Sequence, residues 1–282
     1  MNLTKSLSLS TQQIKDLKHH YRHAQVKNNN EYIDAQFKTD HCTITIYTSR
    51  KVVFQGEEAE SIASIYAPKH SVQAGSDEVG TGDYFGPVVV VACAITEDII
   101  DKLKDVPLLD SKVLKDEDII KIAKQVKDFV PHSTLVVDNV TYNRIHQKHN
   151  LNAIKALLHN QAYVHLSKKV DIPRLAVVDQ FTPEASYYRY IKDEKTIYNK
   201  LHFETKAESK YPAVALASIL ARAKFLEVMK QMNEHYQFDF PLGSGTQVDT
   251  KAQKFVDQFG SDKLNEVAKV HFKNTDKLQK TK

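Results

Sequence analysis

At 282 residues the chain exceeds the common domain size of roughly 100 to 150, so it has room for one large core and a smaller companion. Apolar residues make up 41% and charged residues 26%, with Gly and Pro at eight each, a profile that excludes a disordered or fibrous chain. A formal charge of +4 is too small to establish an anionic partner, and the two cysteines, Cys42 and Cys93, have neither CxxC spacing nor the number for a disulfide framework.

Nothing near the N-terminus resembles a secretory leader, and no stretch approaches the ~18 apolar residues of a membrane span, so a cytoplasmic protein is expected. A first helix is predicted in "STQQIKDLKHHYRHAQV", where Ile14, Leu17 and Tyr21 repeat at helical spacing behind Ser10 or Thr11 as cap. "YIDAQFK", "CTITIYT" and "KVVFQG" follow as β-branched and aromatic runs separated by polar breaks, the pattern of a small antiparallel meander. "EEAESIASIYA" closes this part as a short helix, and Pro68 marks a linker. The expected division is therefore residues 1–68 and 69–282.

Beyond it, strands and helices alternate. "YFGPVVVVACAI" reads as a strand, "DEDIIKIAKQVKDF" as a helix capped near Asp116, and "STLVVDNV" as a strand. "NLNAIKALLHNQAYVHLSKK" is a helix entered through Asn150 or Asn152, "RLAVVDQF" a strand, and "YPAVALASILARAKFLEVMKQMN" a long helix with Pro212 in its first turn. Such alternation predicts an α/β fold, a sheet covered by helices.

The stretch "GSDEVGTGDYFGPVVVVACAI" sets Asp77 and Glu78 against a Gly-Thr-Gly turn, just before an almost wholly apolar strand. Neighbouring strand residues point to opposite faces, so serving one site requires the backbone to leave the pleat there. Gly80 and Gly82 permit it and expose bare amides, although a hairpin turn with solvated acids is the plainer account. Asp179 ends a predicted strand and Glu208 precedes the long helix; singly, each reads as readily as a loop or helix-entry acid. Taken together, carboxylates without cysteine suit hard cations such as Mg²⁺ or Mn²⁺, and two such ions favour in-line attack of water on a phosphodiester.

These residues lie in motifs that closely resemble ribonuclease HIII, a bacterial type 2 ribonuclease H: "GSDEVGTGDYFGPVVVVA", "DSKVL", "VVDQF", "FETKAES", "VALASILAR" and "KVHFKNT" occur in order over essentially the whole chain. The resemblance implies a ribonuclease H-like mixed sheet flanked by helices, plus a small α+β N-terminal domain resembling the TATA-binding protein that binds substrate. It implies cleavage of the RNA strand of RNA/DNA hybrids, leaving 3′-hydroxyl and 5′-phosphate ends, with Mg²⁺ or Mn²⁺ held by Asp77, Glu78, Asp179 and Glu208. Glu208 stands where the sister enzymes usually have Asp. Gly80, Thr81 and Gly82 look like the loop whose backbone meets ribose 2′-hydroxyls, the group that separates RNA from DNA. The ribonuclease HII relatives carry Arg where this chain has Thr81, which favours the ribonuclease HIII resemblance and weakens the case for preferring a single embedded ribonucleotide. That rival activity, and a noncatalytic hybrid-binding protein, are the alternatives.

Lys112, Lys206 and Arg222 are candidates for holding substrate phosphates, although solvation is the commoner fate of a lysine. The small residues of "VALASILAR", Ser218 included, are expected to let the long helix lie close to the sheet. His19 and His23 have the spacing of a metal pair but no third ligand, and Asp138 and Asp83 read as turn acids. Arg50 occupies a turn where the family usually has Gly. No heptad seam argues for more than a monomer.

Overall fold

A computed structural model describes residues 3–9, 11–66, 72–104, 106, 108 and 114–278. The chain divides into two compact units, Met1–Lys69 and His70–Lys282.

In the first unit the elements run β1 (Leu3–Ser8), α1 (Thr11–His20), β2 (Gln25–Val26), β3 (Ile33–Lys38), β4 (Cys42–Tyr47), β5 (Lys51–Gly56) and α2 (Ala59–Tyr66). The strands form one antiparallel sheet in the order β1-β5-β4-β3-β2. Phe37, Ile44, Ile46, Val52 and Phe54 alternate inward to meet Ile14, Leu17 and Ile62 of the two helices. The meander and both helices follow the apolar pattern. β1 is an addition, because "LTKSLS" carries almost no apolar alternation and becomes a strand by pairing along β5 from Leu3–Gly56 to Ser8–Lys51. Arg50 takes a left-handed φ of 68° in the β4–β5 turn, a conformation that costs a non-glycine residue about 1–2 kcal/mol.

The second unit contains β6 (Gln73–Val79), β7 (Val88–Ile95), α3 (Glu97–Ile100), α4 (Asp116–Val126), β8 (His132–Val137), α5 (Asn139–His146), α6 (Leu151–Leu166), β9 (Ala176–Asp179), α7 (Glu184–Tyr190), β10 (His202–Glu204), α8 (Pro212–Tyr236), α9 (Thr246–Phe259), α10 (Leu264–Val267) and α11 (Lys273–Asp276). Its sheet has the order β10-β9-β6-β7-β8, with β6-β7-β8 antiparallel and β6-β9-β10 parallel.

Every residue of β7 is buried, because both faces of this strand are covered. Val89, Val91, Cys93 and Ile95 pack with Ala213, Leu216, Ala217 and Leu220 of α8, whereas Val88, Val90, Ala92 and Ala94 pack with Ile154, Leu158 and Ala162 of α6. The α8 face is tight: a Cβ added to Gly75 would lie 2.4 Å from the backbone nitrogen of Val214. Glycine on β6 and alanines on α8 therefore bring helix and sheet together, as the small-residue pattern leads one to expect.

The α6 helix is set by its cap. Asn150 accepts from the Ala153 N–H at 2.9 Å, satisfying an amide that the first helical turn leaves without a partner. Asn150→Ala is expected to cost about 1 kcal/mol, read as a lower urea midpoint with an unchanged slope. Asp116 does not cap α4. Lys115 occupies the cap position without a side-chain bond, and Asp116 begins the helix instead.

Candidate active site

β6 stays pleated through Val79, pairing Asp77 with Val91 and Glu78 with Val90 on β7. The expectation that the backbone departs at the acids is therefore corrected; it departs after them, at Gly80. Alternation then sorts the pair. Asp77 lies on the α8 face with Val91, where the Ser218 hydroxyl bonds its carboxylate, and Glu78 lies on the α6 face with Val90, where Lys155 and His159 receive it.

On its other side β6 runs parallel to β9, with Ser76 opposite Val178, and just beyond this pair Asp77 and Asp179 lie close enough for their charges to interact. Asp179 is in turn paired with Glu204 on β10. An Asp179 carboxylate oxygen accepts from the Ala207 N–H at 2.9 Å and so fastens the 3-10 turn Ala207–Ser209 onto the end of β9. Glu208, 9% exposed, sits in that turn. Lys206 enters it with φ 54° and ψ 43°, a left-handed conformation that non-glycine residues adopt mainly where surrounding structure demands it.

Burial pushes the Asp77 carboxyl up to about 8, and the charges of Glu78 and Asp179 add to that, while bonds from Ser218 and the Glu78 amide act against it. Glu78 moves the other way. Burial alone raises it, but His159 and Lys155 outweigh burial and hold it below the usual carboxylate range. Its two oxygens are divided between Lys155 Nζ and His159 Nε2, the latter at 2.9 Å. Lys155 Nζ also lies 4.0 Å from the centroid of the Phe181 ring.

Asp77, Glu78 and Asp179 thus share one electrostatic neighbourhood without forming a closed cage. Among the described residues no three His, Cys, Asp or Glu side chains form a group that could hold a metal ion. Asp77 and Glu78 leave β6 from opposite faces, and each of the three carboxylates accepts from a protein donor. The donor chemistry is nonetheless selective. Carboxylate oxygens predominate, both cysteines are buried in hydrophobic clusters, and such oxygen donors fit a hard divalent cation such as Mg²⁺ or Mn²⁺ rather than zinc.

The Gly80–Thr81–Gly82 turn follows directly. Gly80 has φ 94°, and an added Cβ would meet the Pro87 carbonyl oxygen at 2.1 Å, so the fold itself requires glycine there. Gly82 is different: among the described residues, its chain neighbours apart, nothing lies within 4 Å of where its Cβ would be. None of the described residues crowds that bare surface. The loop is tied from behind, since Lys269, fully buried, donates from Nζ to the carbonyls of Asp83 at 2.8 Å and Gly86 at 2.5 Å, and Asn139 donates to Gly86 at 2.9 Å. Burial lowers the Lys269 ammonium to about 7. Asp83 accepts from the Gly243 N–H at 2.6 Å, linking the turn to "PLGSG".

The candidate phosphate contacts divide. Lys206 is exposed. Arg222 makes a two-pronged pair with Asp116 at 3.0 and 3.1 Å, bridging α8 to α4, and Lys112 falls outside the described residues. Asp138 caps α5 through Thr141 at 2.7 Å, and His19 faces the Arg22 guanidinium at 3.1 Å.

Sequence reading did not single out Lys155, His159, Lys269 or Asn139, and it assigned Ser218 to packing alone. A signal existed for the first two. Lys and His four residues apart in the apolar helix "NLNAIKALLHNQAYVHL" share one face, and a lysine there requires an acid to meet it.

Residues 74–275 match the family model for ribonuclease HII, and residues 6–78 match a domain of unknown function, DUF3378. Ribonuclease HIII of Bacillus cereus (strain AH187) is 39% identical over 292 residues, covering 94% of both chains. The chain belongs to the ribonuclease HIII family. Among solved structures, Bst-RNase HIII in complex with Mn²⁺ superposes with a TM-score of 0.74 at 34% identity, covering 98% of this chain and 97% of that one. Aquifex aeolicus RNase H3 gives a TM-score of 0.59 at 22% identity over 95% and 99% of the two chains, a likeness of fold. In this chain the sheet β10-β9-β6-β7-β8 carries Asp77, Glu78 and Asp179. Among the described residues no helix is long and apolar enough to cross a membrane.

Proposed function

We infer that this chain is an endoribonuclease H that hydrolyses the RNA strand of RNA/DNA hybrids to 3′-hydroxyl and 5′-phosphate ends. One observation carries the reading: in a chain of the ribonuclease HIII family, Asp77, near the C-terminal end of β6, lies within electrostatic reach of Asp179, the last residue of the parallel strand β9, with Glu78 next in sequence. Strand ends of this kind are where α/β folds place their chemistry. Asp77, Glu78, Asp179 and Glu208 would hold Mg²⁺ or Mn²⁺, in the two-ion arrangement suited to phosphodiesters. When bound, the ions supply charge to activate the attacking water and to stabilise the leaving oxygen.

The chain's own residues do the rest. Asp77, crowded by Glu78 and Asp179, gains from added positive charge. Asp179 sets the Glu208 turn through the Ala207 amide. Gly80, Thr81 and Gly82 would offer backbone to the ribose 2′-hydroxyl, with Gly82 leaving room for close approach. Lys206, which is exposed, would meet a phosphate, and Lys112 would do so by its motif, whereas Arg222 would first have to leave Asp116. The N-terminal unit, residues 1–68 in this reading, would add affinity along the hybrid backbone, and the 69–282 portion would cleave. A monomer in the reducing cytoplasm suits two cysteines that are both free.

The deciding experiment uses labelled duplexes of equal length, one with a continuous RNA strand and one with a single ribonucleotide, assayed in Mg²⁺, in Mn²⁺ and with EDTA. Cleavage of the continuous RNA strand that EDTA abolishes is expected. Activity that survives chelation would sink the metal reading, and preference for the single ribonucleotide would assign the other activity.

A further inference from the structure

Resting on that metal reading, we propose that His159 is a positioning residue, which fixes the carboxylate of Glu78 for the divalent ion through a buried Ser76–His159–Glu78 chain. The observations are geometric. His159 is fully buried in the middle of α6, and its two ring nitrogens are both engaged: Nδ1 lies 2.8 Å from the Ser76 hydroxyl and Nε2 lies 2.9 Å from Glu78 Oε2. An ionised Glu78 can only accept, so Nε2 carries the proton and donates it to the carboxylate, which leaves Nδ1 to Ser76. Ser76 and Glu78 are two residues apart on β6 and point to the same face, so one imidazole spans both. Phe181, stacked on the His159 ring at 5.4 Å between centroids, restricts its plane.

Burying a polar ring in an apolar layer is costly when leucine would fill the space, so the arrangement calls for a role beyond packing. A carboxylate offers about four lone-pair sites, and His159 and Lys155 use one on each oxygen. The remaining sites are free for a cation, and their direction is set by the donors behind them. Outer partners of this kind orient a ligand, and their loss typically costs about 10–100-fold in metal affinity.

The test measures Mn²⁺ binding to the full-length protein without nucleic acid, by calorimetry and by loss of the free Mn²⁺ resonance signal. Three variants are compared with the parent: His159→Gln, whose amide nitrogen reaches the place of Nε2; His159→Asn, whose amide stops at the place of Nδ1; and His159→Phe, which keeps only shape. Positioning requires His159→Gln to bind close to the parent, while His159→Asn and His159→Phe weaken binding by about 10–100-fold. A residue that merely fills space gives the reverse order, with Phe tolerated and Gln not, and that result overturns the proposal. So does equal binding by all of them. Should His159→Phe fail to fold, the Gln and Asn pair still decides. A parent that binds no Mn²⁺ would instead overturn the underlying metal reading, which keeps the two failures distinguishable.

Discussion

Asp77→Asn is expected to reduce hybrid cleavage by at least about three orders of magnitude, the range seen when one member of a catalytic unit is removed. Hybrid binding should persist, because a duplex is held mainly through its phosphates and an aspartate adds nothing to those contacts. The same change should make the metal-free protein more stable at pH 8. In the folded chain Asp77 is raised to about 8 by burial and by Glu78 and Asp179, whereas in the unfolded chain it titrates near its ordinary 3.8. Between those two values the folded state retains a proton that the unfolded state has released, so this group erodes stability as pH climbs. Asparagine carries no such charge, and its Oδ1 can still accept from the Glu78 amide. After allowance for the partial exposure of Asp77, the gain at pH 8 is on the order of 2 kcal/mol, and it should vanish near pH 4. Melting curves at both pH values in EDTA, paired with a cleavage assay and a hybrid-binding titration, test this. A variant that cuts within tenfold of the parent, or one that melts lower at pH 8, contradicts it. A site that destabilises its own fold is the ordinary companion of function.

How far the sequence discloses this arrangement depends on the distance over which each feature is determined. The acidic motif is legible because Asp77, Glu78, Gly80 and Gly82 lie close together in sequence and Asp179 closes a short apolar run. The α6 cap at Asn150 and the Pro212 start of α8 are likewise local, decided within a few residues of the helix end. β1 and β10 are not legible, because their strand character comes from neighbours supplied by distant segments, β5 and β9. The brace behind the glycine turn is hidden for the same reason: Lys269 reaches Asp83 across a separation of 186 residues. The pleat at Asp77 and Glu78 is instructive in another way. Side-by-side acids suggest one shared destination, but strand alternation sends them to α8 and α6 separately, and only the tertiary layers show which helix receives each. Arg222 shows the limit from the opposite side, since the sequence does not disclose that its guanidinium pairs with Asp116 on a distant helix.

Lys155→Met is expected to lower the stability of the second unit by about 3 kcal/mol, because removing one member of a buried ion pair strands the other charge. The Lys155 and Glu78 side chains are both only 11% exposed, so water cannot make good the loss. His159 remains as a donor to Glu78, which places the cost at the lower end of the roughly 3–5 kcal/mol usual for such changes. Methionine preserves most of the lysine stem and removes the Nζ that lies over the Phe181 ring, so the effect reports on charge rather than on a cavity. For a unit of this size the melting temperature should fall by about 6–12 °C. The double variant Glu78→Gln with Lys155→Met then separates charge from shape: with neither charge present, most of the stability should return, giving a coupling energy of opposite sign to the single loss. Added Mn²⁺ should raise the melting temperature of Lys155→Met more than that of the parent, because a divalent ion near Glu78 replaces the missing positive charge. If Lys155→Met melts with the parent, or if the double variant is no more stable than the single one, then Lys155 does not neutralise Glu78 in the folded protein. The electrostatic account of this face of β6 would fail with it, since His159 alone would then be sufficient to keep Glu78 ionised inside the layer.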